Sequence, residues 1–438
     1  MNKKFIIYLI IAFLGFLISI LTFFPGWMSP DSVAQYANAQ VKTYSDWHPV
    51  LMAIWWRQLN FIYEGPGLFL IQNLVLYWTS LLLLTFAFDK IFGFRAILFL
   101  LVGFWPGLLF PLGMIWKDII FAISVIFVWA IFWKNYTYKS SFNYFERFII
   151  VVLLLFAYGV KINGLVLLPI MFYVWFTLEQ WFINRWIKKF FMAIVATGLI
   201  VFTNMFITYS NNVVKTYPFQ YTQTYDLLAI SVATNENLLP NYINEKISNT
   251  NYKLKELYFI GGNNLLFYNA VGNLTTLEKN DLNDLNHKWF KSILKYPKEY
   301  FIHRYNNFIS MMRIGEIWPA SIAAAVIVEN QYGLVFSKNT FSDLLSSSAD
   351  KYRYIYFPWV YMIILVVSLV GLNMLRKDKF MINMFGLSAF VFIAPHFFIL
   401  PAADYRYLYY SYFVAIIVGV LFLLHLFDKI FRIANEKR

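Results

Sequence analysis

Two acidic residues and a histidine lie in a short polar stretch directly after the first apolar run of the chain. Asp31 belongs to Ser29-Pro30-Asp31-Ser32, and Asp46 and His48 belong to Ser45-Asp-Trp-His-Pro49. Charged groups beside hydrocarbon are costly, and those that persist there are often functional. A carboxylate at such a position can act as a general base or orient a hydroxyl group.

Asp31 has two interpretations. Ser29 suits a helix N-cap, Pro30 suits the first turn, and Asp31 then lies at the positive end of the helix dipole. Asp31 either stabilises that helix start alone, or it is a general base whose pKa the dipole lowers. A base of this kind accepts a hydroxyl proton late, as a good leaving group departs.

Asp46-Trp47-His48-Pro49 is either a structural turn or a second carboxylate site. Asp46 is the alternative candidate for the base. His48 would then hold Asp46 or contact phosphate. One acid and one histidine are too few ligands to predict a metal site, so we predict none.

Three cations lie at the same predicted membrane face, namely Lys117, Lys161 and Arg406. Each of them alone is explained by a long side chain that reaches toward lipid headgroups. Three on separate spans favour an anion site, and the natural anion at that depth is a lipid phosphate or pyrophosphate. Asp118 would neutralise or orient Lys117. The further candidates for substrate contacts are Gln35, Asn163, Tyr407, His303 and Arg304.

The elements that position these residues are membrane spans. The chain of 438 residues is 60% hydrophobic and only 13% charged, whereas soluble domains carry roughly 25% charged residues. Apolar runs of span length predict a mainly α polytopic membrane protein with about ten transmembrane helices. The predicted spans are 5–24, 66–88, 95–112, 117–133, 147–160, 162–180, 189–208, 354–374, 381–400 and 407–427.

The positions of the basic residues orient these spans. Lys3, Lys4, Lys188 and Lys189 are among many Lys and Arg residues at alternate span ends, which the positive-inside rule assigns to the cytoplasm. Both termini are then cytoplasmic. The net charge of +13 is largely explained by this bias, so we expect membrane lipids and no nucleic acid as partners. Phe-Phe-Pro-Gly after the first run lacks a small-residue cleavage site, and we expect an uncleaved span.

Three regions follow from this topology. Residues 1–208 form an N-terminal transmembrane module whose first outer loop, 25–65, carries Asp31 and Asp46. Residues 49–63 are short and aromatic, which predicts a helix lying in the outer interface. Residues 209–352 contain no spanning run and predict a mostly helical extracytoplasmic domain, and 353–438 form a C-terminal transmembrane module. The chain has no cysteine, which excludes disulfides and thiolate chemistry.

Several short motifs together resemble the polytopic glycosyltransferases of the GT-C fold, which use polyprenyl-phosphate sugars. The motifs are Pro-Asp-Ser at 30–32, Ser-Asp-Trp-His-Pro at 45–49, Trp-Lys-Asp at 116–118, Lys-Ile-Asn-Gly at 161–164, Tyr-Pro-x-x-Tyr-x-x-His-Arg at 296–304 and Asp-Tyr-Arg-Tyr at 404–407. Within that fold the chain resembles bacterial O-antigen-modifying, serotype-converting glucosyltransferases. The resemblance covers the layout of the whole chain.

The resemblance implies an inverting hexosyltransferase at the outer face of a bacterial cytoplasmic membrane. It would move a sugar, glucose or another hexose, from undecaprenyl phosphate to a surface glycan of the lipopolysaccharide O-antigen type or to its lipid-linked precursor. It implies a catalytic carboxylate at Asp31, with Asp46 as the second candidate, and phosphate contacts from Lys117, Lys161 and Arg406. Relatives often carry Arg where this chain has Lys161. Whether a divalent cation, Mg²⁺ or Mn²⁺, takes part is left open.

Two other functional classes fit the same layout. A polysaccharide polymerase or ligase would use a glycan on polyprenyl pyrophosphate. A flippase or transporter of lipid-linked glycans would carry charges near mid-membrane and inverted repeats, and the sequence has no visible repeat. A purely structural membrane protein would leave the three outer cations without a role.

Overall fold

The computed structural model describes residues 3–181, 185–262, 272, 274–315 and 325–436. These residues are mainly helical, and among them there is no β-strand but only isolated backbone bridges. The α-helices are Lys3–Phe23, Pro30–Val41, Leu51–Asn60, Gly67–Phe92, Leu98–Leu101, Pro106–Leu112, Lys117–Tyr138, Tyr144–Val160, Leu168–Leu178, Trp186–Ser210, Gln220–Thr234, Asn241–Ser248, Leu254–Leu257, Lys279–Lys295, Pro297–Met311, Thr340–Lys351, Pro358–Leu375, Phe380–Ile393, His396–Ile399 and Tyr409–Glu436. The 3₁₀ turns are Gly93–Ile97, Val102–Phe104, Ile162–Leu167, Arg353–Tyr356 and Tyr405–Leu408.

Within the described part of the chain, seven helical stretches are long and apolar enough to cross a membrane. They are Lys3–Phe23, Gly67–Phe104, Lys117–Tyr138, Trp186–Ser210, Pro358–Leu375, Phe380–Ile399 and Tyr405–Phe431. Most of their length is apolar on every side, as expected for helices whose outer faces meet lipid rather than water. The helix content and these apolar stretches confirm the prediction of a mainly helical, membrane-embedded protein.

The other predicted spans are shorter or broken. Residues 93–112 form short helical pieces on both sides of Trp105, whose backbone is extended with ψ at 122°. Pro106 follows Trp105, and a proline disfavours helical dihedrals in the residue before it. Tyr144–Val160 and Ile162–Leu178 are apolar helical segments shorter than the seven stretches. The count of ten crossings therefore stays a prediction.

The helix Lys117–Tyr138 lies at the centre of the bundle. Most of its side chains are buried, and it packs against Gly67–Phe92, Tyr144–Val160 and Tyr409–Glu436. Inside this packing Trp129 Nε1 donates a hydrogen bond of 2.9 Å to the hydroxyl oxygen of Tyr410. A buried indole N–H needs such a partner. The first turn of this central helix carries Lys117 and Asp118, so its packing fixes both residues.

Ion pairs between side chains lie at both ends of the bundle. At one end Arg95 Nη2 lies 2.6 Å from Asp428 Oδ1, and Arg147 Nε lies 2.7 Å from Glu179 Oε1. The opposite end holds Asp31 and the cations predicted for the outer face. The apolar length of the helices separates these two groups, as the alternating direction of successive spans requires.

The stretch that carries Asp31 is held by backbone pairing on two sides. Trp27 N donates to Gly113 O at 2.7 Å, and Ile115 N donates to Trp27 O at 2.9 Å. On the other side Met28 pairs with residues 326–328 through hydrogen bonds of 3.1 and 3.0 Å. We call residues 25–29 the anchored loop. The loop thereby connects the turn before Lys117 to the segment that precedes the C-terminal helices.

The chain between Trp186–Ser210 and Pro358–Leu375 contains its own helices. Gln220–Thr234 packs against Lys279–Lys295 and Pro297–Met311. A small apolar cluster separate from the main core joins Gln220–Thr234 to Lys279–Lys295 and to the chain between them. It is formed by Leu227, Leu228, Leu239, Ile243, Ile247, Leu257, Leu274 and Leu285. The helical pattern of this region is divided at Pro297, because a proline suits only the first turn of a helix.

Candidate functional site

The helix Pro30–Val41 begins where the sequence predicts it. Ser29 is the N-cap, with extended dihedrals of −83° and 173°, and Pro30 occupies the first turn. Ser29 N donates to Ser32 Oγ at 3.3 Å, and Ser32 Oγ donates to Ile115 O at 2.9 Å. The helix start is thus tied to the turn that precedes Lys117, and Asp31 has a fixed place in its first turn.

Asp31 forms an ion pair with Arg406. Arg406 Nη2 lies 2.6 Å from Asp31 Oδ2, while its Nε lies 2.8 Å from Asp404 Oδ2. The guanidinium group stacks over Trp116 at 4.6 Å from the ring centroid, and Trp116 Nε1 donates to Ser29 Oγ at 2.8 Å. Arg406 Nε also lies 3.8 Å from Asp118 Oδ2. A stacked planar guanidinium group with three carboxylate neighbours is well fixed in orientation.

The charges around Asp31 keep it ionised at neutral pH. Burial by itself raises the pKa of Asp31, but the positive charge of Arg406, with smaller effects of His48 and Lys117, outweighs burial and leaves that pKa below its ordinary value. Burial raises the pKa of Asp404, and Arg406 opposes that rise. Asp31 is therefore the stronger acid of the two carboxyl groups and a weak base.

His48 lies between Lys117 and Asp31. Lys117 Nζ is 3.2 Å from His48 Nδ1, and His48 Nε2 is 3.9 Å from Asp31 Oδ1. Burial and the charge of Lys117, partly opposed by Asp31, lower the pKa of His48 to about 4. An ammonium group only donates, so Nδ1 accepts and Nε2 carries the proton. The expectation that His48 holds Asp46 is wrong, because the imidazole faces Lys117 and Asp31 instead.

Lys161 forms a buried ion pair with Asp118. Its ammonium group donates to Asp118 Oδ1 and lies 5.2 Å from the centroid of the Tyr407 ring. The sequence interpretation expects Asp118 to neutralise or orient Lys117, but Asp118 forms its close ion pair with Lys161 instead. Neighbouring residues in a helix point in directions about 100° apart, so Lys117 and Asp118 cannot face each other.

Lys117 has the least compensated charge of the three cations. Among the described residues no carboxylate oxygen lies within 4.0 Å of its Nζ, and its hydrogen-bond partner is the neutral imidazole of His48. Lys161 and Arg406 each have a carboxylate partner. An anion that enters the site would therefore bind Lys117 without displacing a carboxylate from it.

A cavity of about 210 Å³ opens beside these residues. Its boundary includes charged groups, aromatic rings and backbone of the loop before the last span. The residues that line it are Asp46, Trp47, Pro49, Lys117, Asp118, Lys161, Ile162, Asn163, Pro218, His396, Ile399, Leu400, Pro401 and Tyr407. Of the predicted substrate contacts, Asn163, Asp118 and Tyr407 thus lie at the cavity.

Asp46 lines the cavity and also holds two segments together. Its Oδ1 accepts from Thr216 Oγ1 at 2.6 Å and from Thr216 N. Next to it Asp46 N donates to Val214 O at 3.0 Å, and Val214 N donates to Tyr44 O at 2.9 Å. Asp46 therefore connects the first loop to the chain that follows the helix Trp186–Ser210, and one of its oxygen atoms is occupied by that connection.

Gln35 lies one helical turn beyond Asp31 on the helix Pro30–Val41 but does not line the cavity. Its side chain is buried, and its Oε1 has no hydrogen-bond partner among the described residues. The structure thus does not bring Gln35 to the cavity surface.

The sequence interpretation expects His303 and Arg304 to contact substrate, but neither residue lines the cavity. Both are buried against Asp226, with 2.6 Å between Arg304 Nη2 and Asp226 Oδ2 and 3.2 Å between His303 Nε2 and Asp226 Oδ1. Burial lowers the pKa of His303, and Asp226 opposes that shift. Arg304 Nη1 also donates to Leu400 O at 2.9 Å, so this network positions the loop that leads to Arg406.

The residues present do not fit a resident divalent cation. Among the described residues no group of three or more His, Asp or Glu side chains is arranged to hold a metal ion. Asp31 and Asp404 are paired with Arg406, and Asp118 is paired with Lys161. Carboxylates with cationic partners are poor ligands for Mg²⁺, which prefers several oxygen ligands in an octahedral arrangement.

Sequence reasoning gave no role to two residues that hold the site together. Trp116 stacks against the guanidinium group of Arg406, and Thr216 donates to Asp46. Trp116 directly precedes Lys117 in the sequence, and an aromatic residue beside a cation is a usable signal. Thr216 has no comparable signal, because its role depends on a contact with a residue 170 positions earlier.

No protein family matches this chain, and neither the curated proteins nor the solved structures contain a match.

Proposed function

We propose that the protein is a GT-C-like membrane glycosyltransferase. It transfers a hexose from a polyprenyl phosphate to a hydroxyl group of a surface glycan or its lipid-linked precursor. The observation that carries the proposal is the convergence of Asp31, Lys117, Lys161 and Arg406 at one end of the bundle. Lys117 and Lys161 line the cavity. Arg406 lies next to it, paired with Asp31 and 3.8 Å from Asp118 of the cavity lining. The four converging residues come from four separate parts of the chain, and together they supply a carboxylate base and an anion site.

The cations suit a lipid phosphate. A polyprenyl chain lies among the apolar spans, and its phosphate then reaches the depth at which the helices Lys117–Tyr138 and Tyr409–Glu436 begin. Lys117 gives the first contact because it has no carboxylate partner among the described residues. Lys161 and Arg406 add charge that stabilises the phosphate as it leaves.

The transfer is a direct displacement at the anomeric carbon. An acceptor hydroxyl oxygen attacks that carbon, the bond from the carbon to the phosphate oxygen breaks, and the electron pair leaves with the polyprenyl phosphate. The hydroxyl proton goes to Asp31. Because Arg406 holds the pKa of Asp31 low, this transfer takes place late, when the new glycosidic bond is largely formed. Attack opposite the leaving group inverts the anomeric centre.

The architecture supports an enzyme rather than a transporter. The described charges of the site lie at span ends and in loops, whereas a transporter binds its substrate near the middle of the bilayer. We propose ten crossings, with both termini in the cytoplasm of a bacterial cell and the cavity facing outward. Residues 209–352 then form the outer domain, and the acceptor binds between this domain and the loop 25–65.

Transfer from undecaprenyl-phosphate glucose to an extracted surface glycan tests the proposal with purified protein in detergent. Asp31→Asn removes the base but keeps the shape of the side chain, and we expect transfer to fall at least about hundredfold. Asp343→Asn is the matched control, because Asp343 also lies in the first helical turn, in Thr340–Lys351. Equal turnover by wild type and Asp31→Asn would contradict the assignment of the base.

Two further measurements separate the other functional classes. Lys117→Ala should weaken binding of undecaprenyl phosphate about tenfold or more, since a charge-assisted contact is lost. Transfer from pyrophosphate-linked glycans, with none from phosphate-linked sugars, would identify a polymerase or ligase. Binding of lipid-linked glycans with movement across vesicle membranes and no transfer would identify a flippase.

A further inference from the structure

We infer that His396 accepts a hydrogen bond from a hydroxyl group of the sugar on the donor lipid. The inference rests on the proposed function and deepens it, because it assigns a residue to sugar recognition in the same cavity. His396 belongs to the short helix that precedes the last span, and it lines the cavity.

The hydrogen bonding of His396 leaves one ring nitrogen for a ligand. The side chain is only 2% exposed, and its Nδ1 lies 3.0 Å from the carbonyl oxygen of Phe392. A carbonyl oxygen only accepts, so Nδ1 carries the proton and Nε2 of the neutral ring presents a lone pair. Nε2 is buried and has no hydrogen-bond partner among the described residues. A buried acceptor without a partner is costly, which favours a ligand that donates to it.

The surroundings of His396 indicate which ligand group that is. The imidazole stacks on Tyr407 at 6.1 Å between centroids, and Lys161 Nζ lies over the same Tyr407 ring at 5.2 Å. His396 and the cation Lys161 thus contact the same aromatic ring, and both residues line the cavity. The phosphodiester of the donor carries no proton and cannot donate to Nε2, whereas a sugar hydroxyl can. A sugar joined directly to the phosphate reaches both groups at once.

His425 provides a matched control for His396. Its Nδ1 lies 2.9 Å from the carbonyl oxygen of Leu421, the same contact with the residue four positions earlier, and its ring packs edge-on against Phe92. It lies in the last turns of the final helix, close to Asp428 at the opposite end of the bundle. A change at His425 therefore alters a similar histidine at a distance from the cavity.

Binding of two probes to the full-length protein in nanodiscs tests the inference. The probes are undecaprenyl phosphate and undecaprenyl-phosphate glucose, and the variants are His396→Ala, His396→Gln and His425→Ala. We expect wild type to prefer the sugar-bearing lipid. His396→Ala should reduce that preference about tenfold, as one lost hydrogen bond does, with unchanged affinity for the bare lipid. His396→Gln should restore part of the preference through its Oε1, and His425→Ala should resemble wild type.

The outcomes distinguish the inference from the function on which it rests. Equal losses of affinity for both lipids in His396→Ala, or an unchanged preference, would overturn the role of His396 alone. No binding of either lipid by wild type would overturn the proposed function and the inference with it. A series of glucose donors that each lack one hydroxyl group tests the same contact with wild-type protein. At least one of them must bind about tenfold more weakly than glucose itself, and a flat series contradicts the inference.

Discussion

Arg406 Nη2 lies 2.6 Å from Asp31 Oδ2, although 375 positions separate the two residues in sequence. The proposed base and one of the proposed phosphate-binding cations are therefore partners of each other. A donor phosphate that takes hydrogen bonds from Arg406 competes with Asp31 for the same guanidinium group. Binding of the donor would thus weaken the pair and make Asp31 a stronger base when the acceptor arrives.

Replacing Arg406 tests this coupling. Arg406→Gln removes the charge that lowers the pKa of Asp31, so the acid limb of the pH profile of kcat/KM should move to higher pH. The KM for the donor should rise about tenfold or more, because a charge-assisted contact is lost. Arg406→Lys keeps the charge but not the stacked fork, and its acid limb should move less. The measurement is transfer rate against pH for all three proteins.

Arg95→Gln is the control for this experiment, because Arg95 forms a similar arginine–aspartate pair with Asp428 at the other end of the bundle. Its pH profile should match that of wild type. An acid limb that stays in place in Arg406→Gln would show that Arg406 does not set the basicity of Asp31.

The buried pair of Lys161 and Asp118 should respond differently to single and double substitution. Asp118→Asn leaves the ammonium group of Lys161 buried without its partner, which costs roughly 3–5 kcal/mol of stability. The double variant Asp118→Asn with Lys161→Met removes both charges and should recover part of this loss. Melting temperatures in detergent check the order, and Glu146→Gln, which disrupts a more exposed pair with Lys134, should cost less than Asp118→Asn. A double variant less stable than Asp118→Asn would contradict this account.

Stability should fall on acidification because His48 resists protonation in the folded protein. Its pKa is about 4 when folded and has its ordinary value of about 6.5 when unfolded. Between these values the unfolded chain binds a proton that the folded chain does not bind. The free energy of unfolding therefore decreases as the pH falls through this window, on the order of 2 kcal/mol by about pH 5.

His48→Gln should remove this contribution. Its melting temperature should fall less than that of wild type between about pH 7 and about pH 5. His303, whose pKa burial also lowers, is present in both proteins, so the difference between them isolates His48. Parallel decreases in the two proteins would mean that His48 is protonated in the folded state.

Asp46 should behave as a structural residue with its oxygen bound to Thr216. Thr216→Val removes the hydroxyl donor at 2.6 Å but keeps the backbone donor, and it should cost about 1 kcal/mol of stability. Transfer by Thr216→Val and by Asp46→Asn should stay within about threefold of wild type. A loss in Asp46→Asn as large as that in Asp31→Asn would make Asp46 the base.

The sequence predicts that the charged residues of the site share one face of the membrane. It does not predict which of them form ion pairs with each other. Span direction alone predicts that Asp31, Lys117, Lys161 and Arg406 share one face, and the structure brings them together. The helix start at Pro30 follows from local residue types. Both inferences depend on segment order and nearest neighbours, which a sequence displays directly.

Partner choice depends on how helices are rotated against each other, which the sequence does not display. Asp118 pairs with Lys161, 43 positions away, and not with adjacent Lys117. Arg304 pairs with Asp226, 78 positions away, so a motif that suggests a cavity contact is instead part of a buried network. Adjacency was misleading for Lys117 and Asp118, because neighbouring helical residues point in different directions. His303 and Arg304 are also adjacent, yet both contact Asp226, which lies far away in sequence.

The two-sided backbone pairing of the anchored loop limits how the protein can be recombined with others. A chimera that receives only residues 25–49 from another protein would keep its own partners at 113–115 and 326–328, and these would have to accept foreign backbone geometry. Trp27 pairs with residues 113–115 and Met28 with residues 326–328, in both cases through main-chain atoms. Matching side chains alone would therefore not restore the fit. Exchange of acceptor specificity would require all three segments to be transferred together.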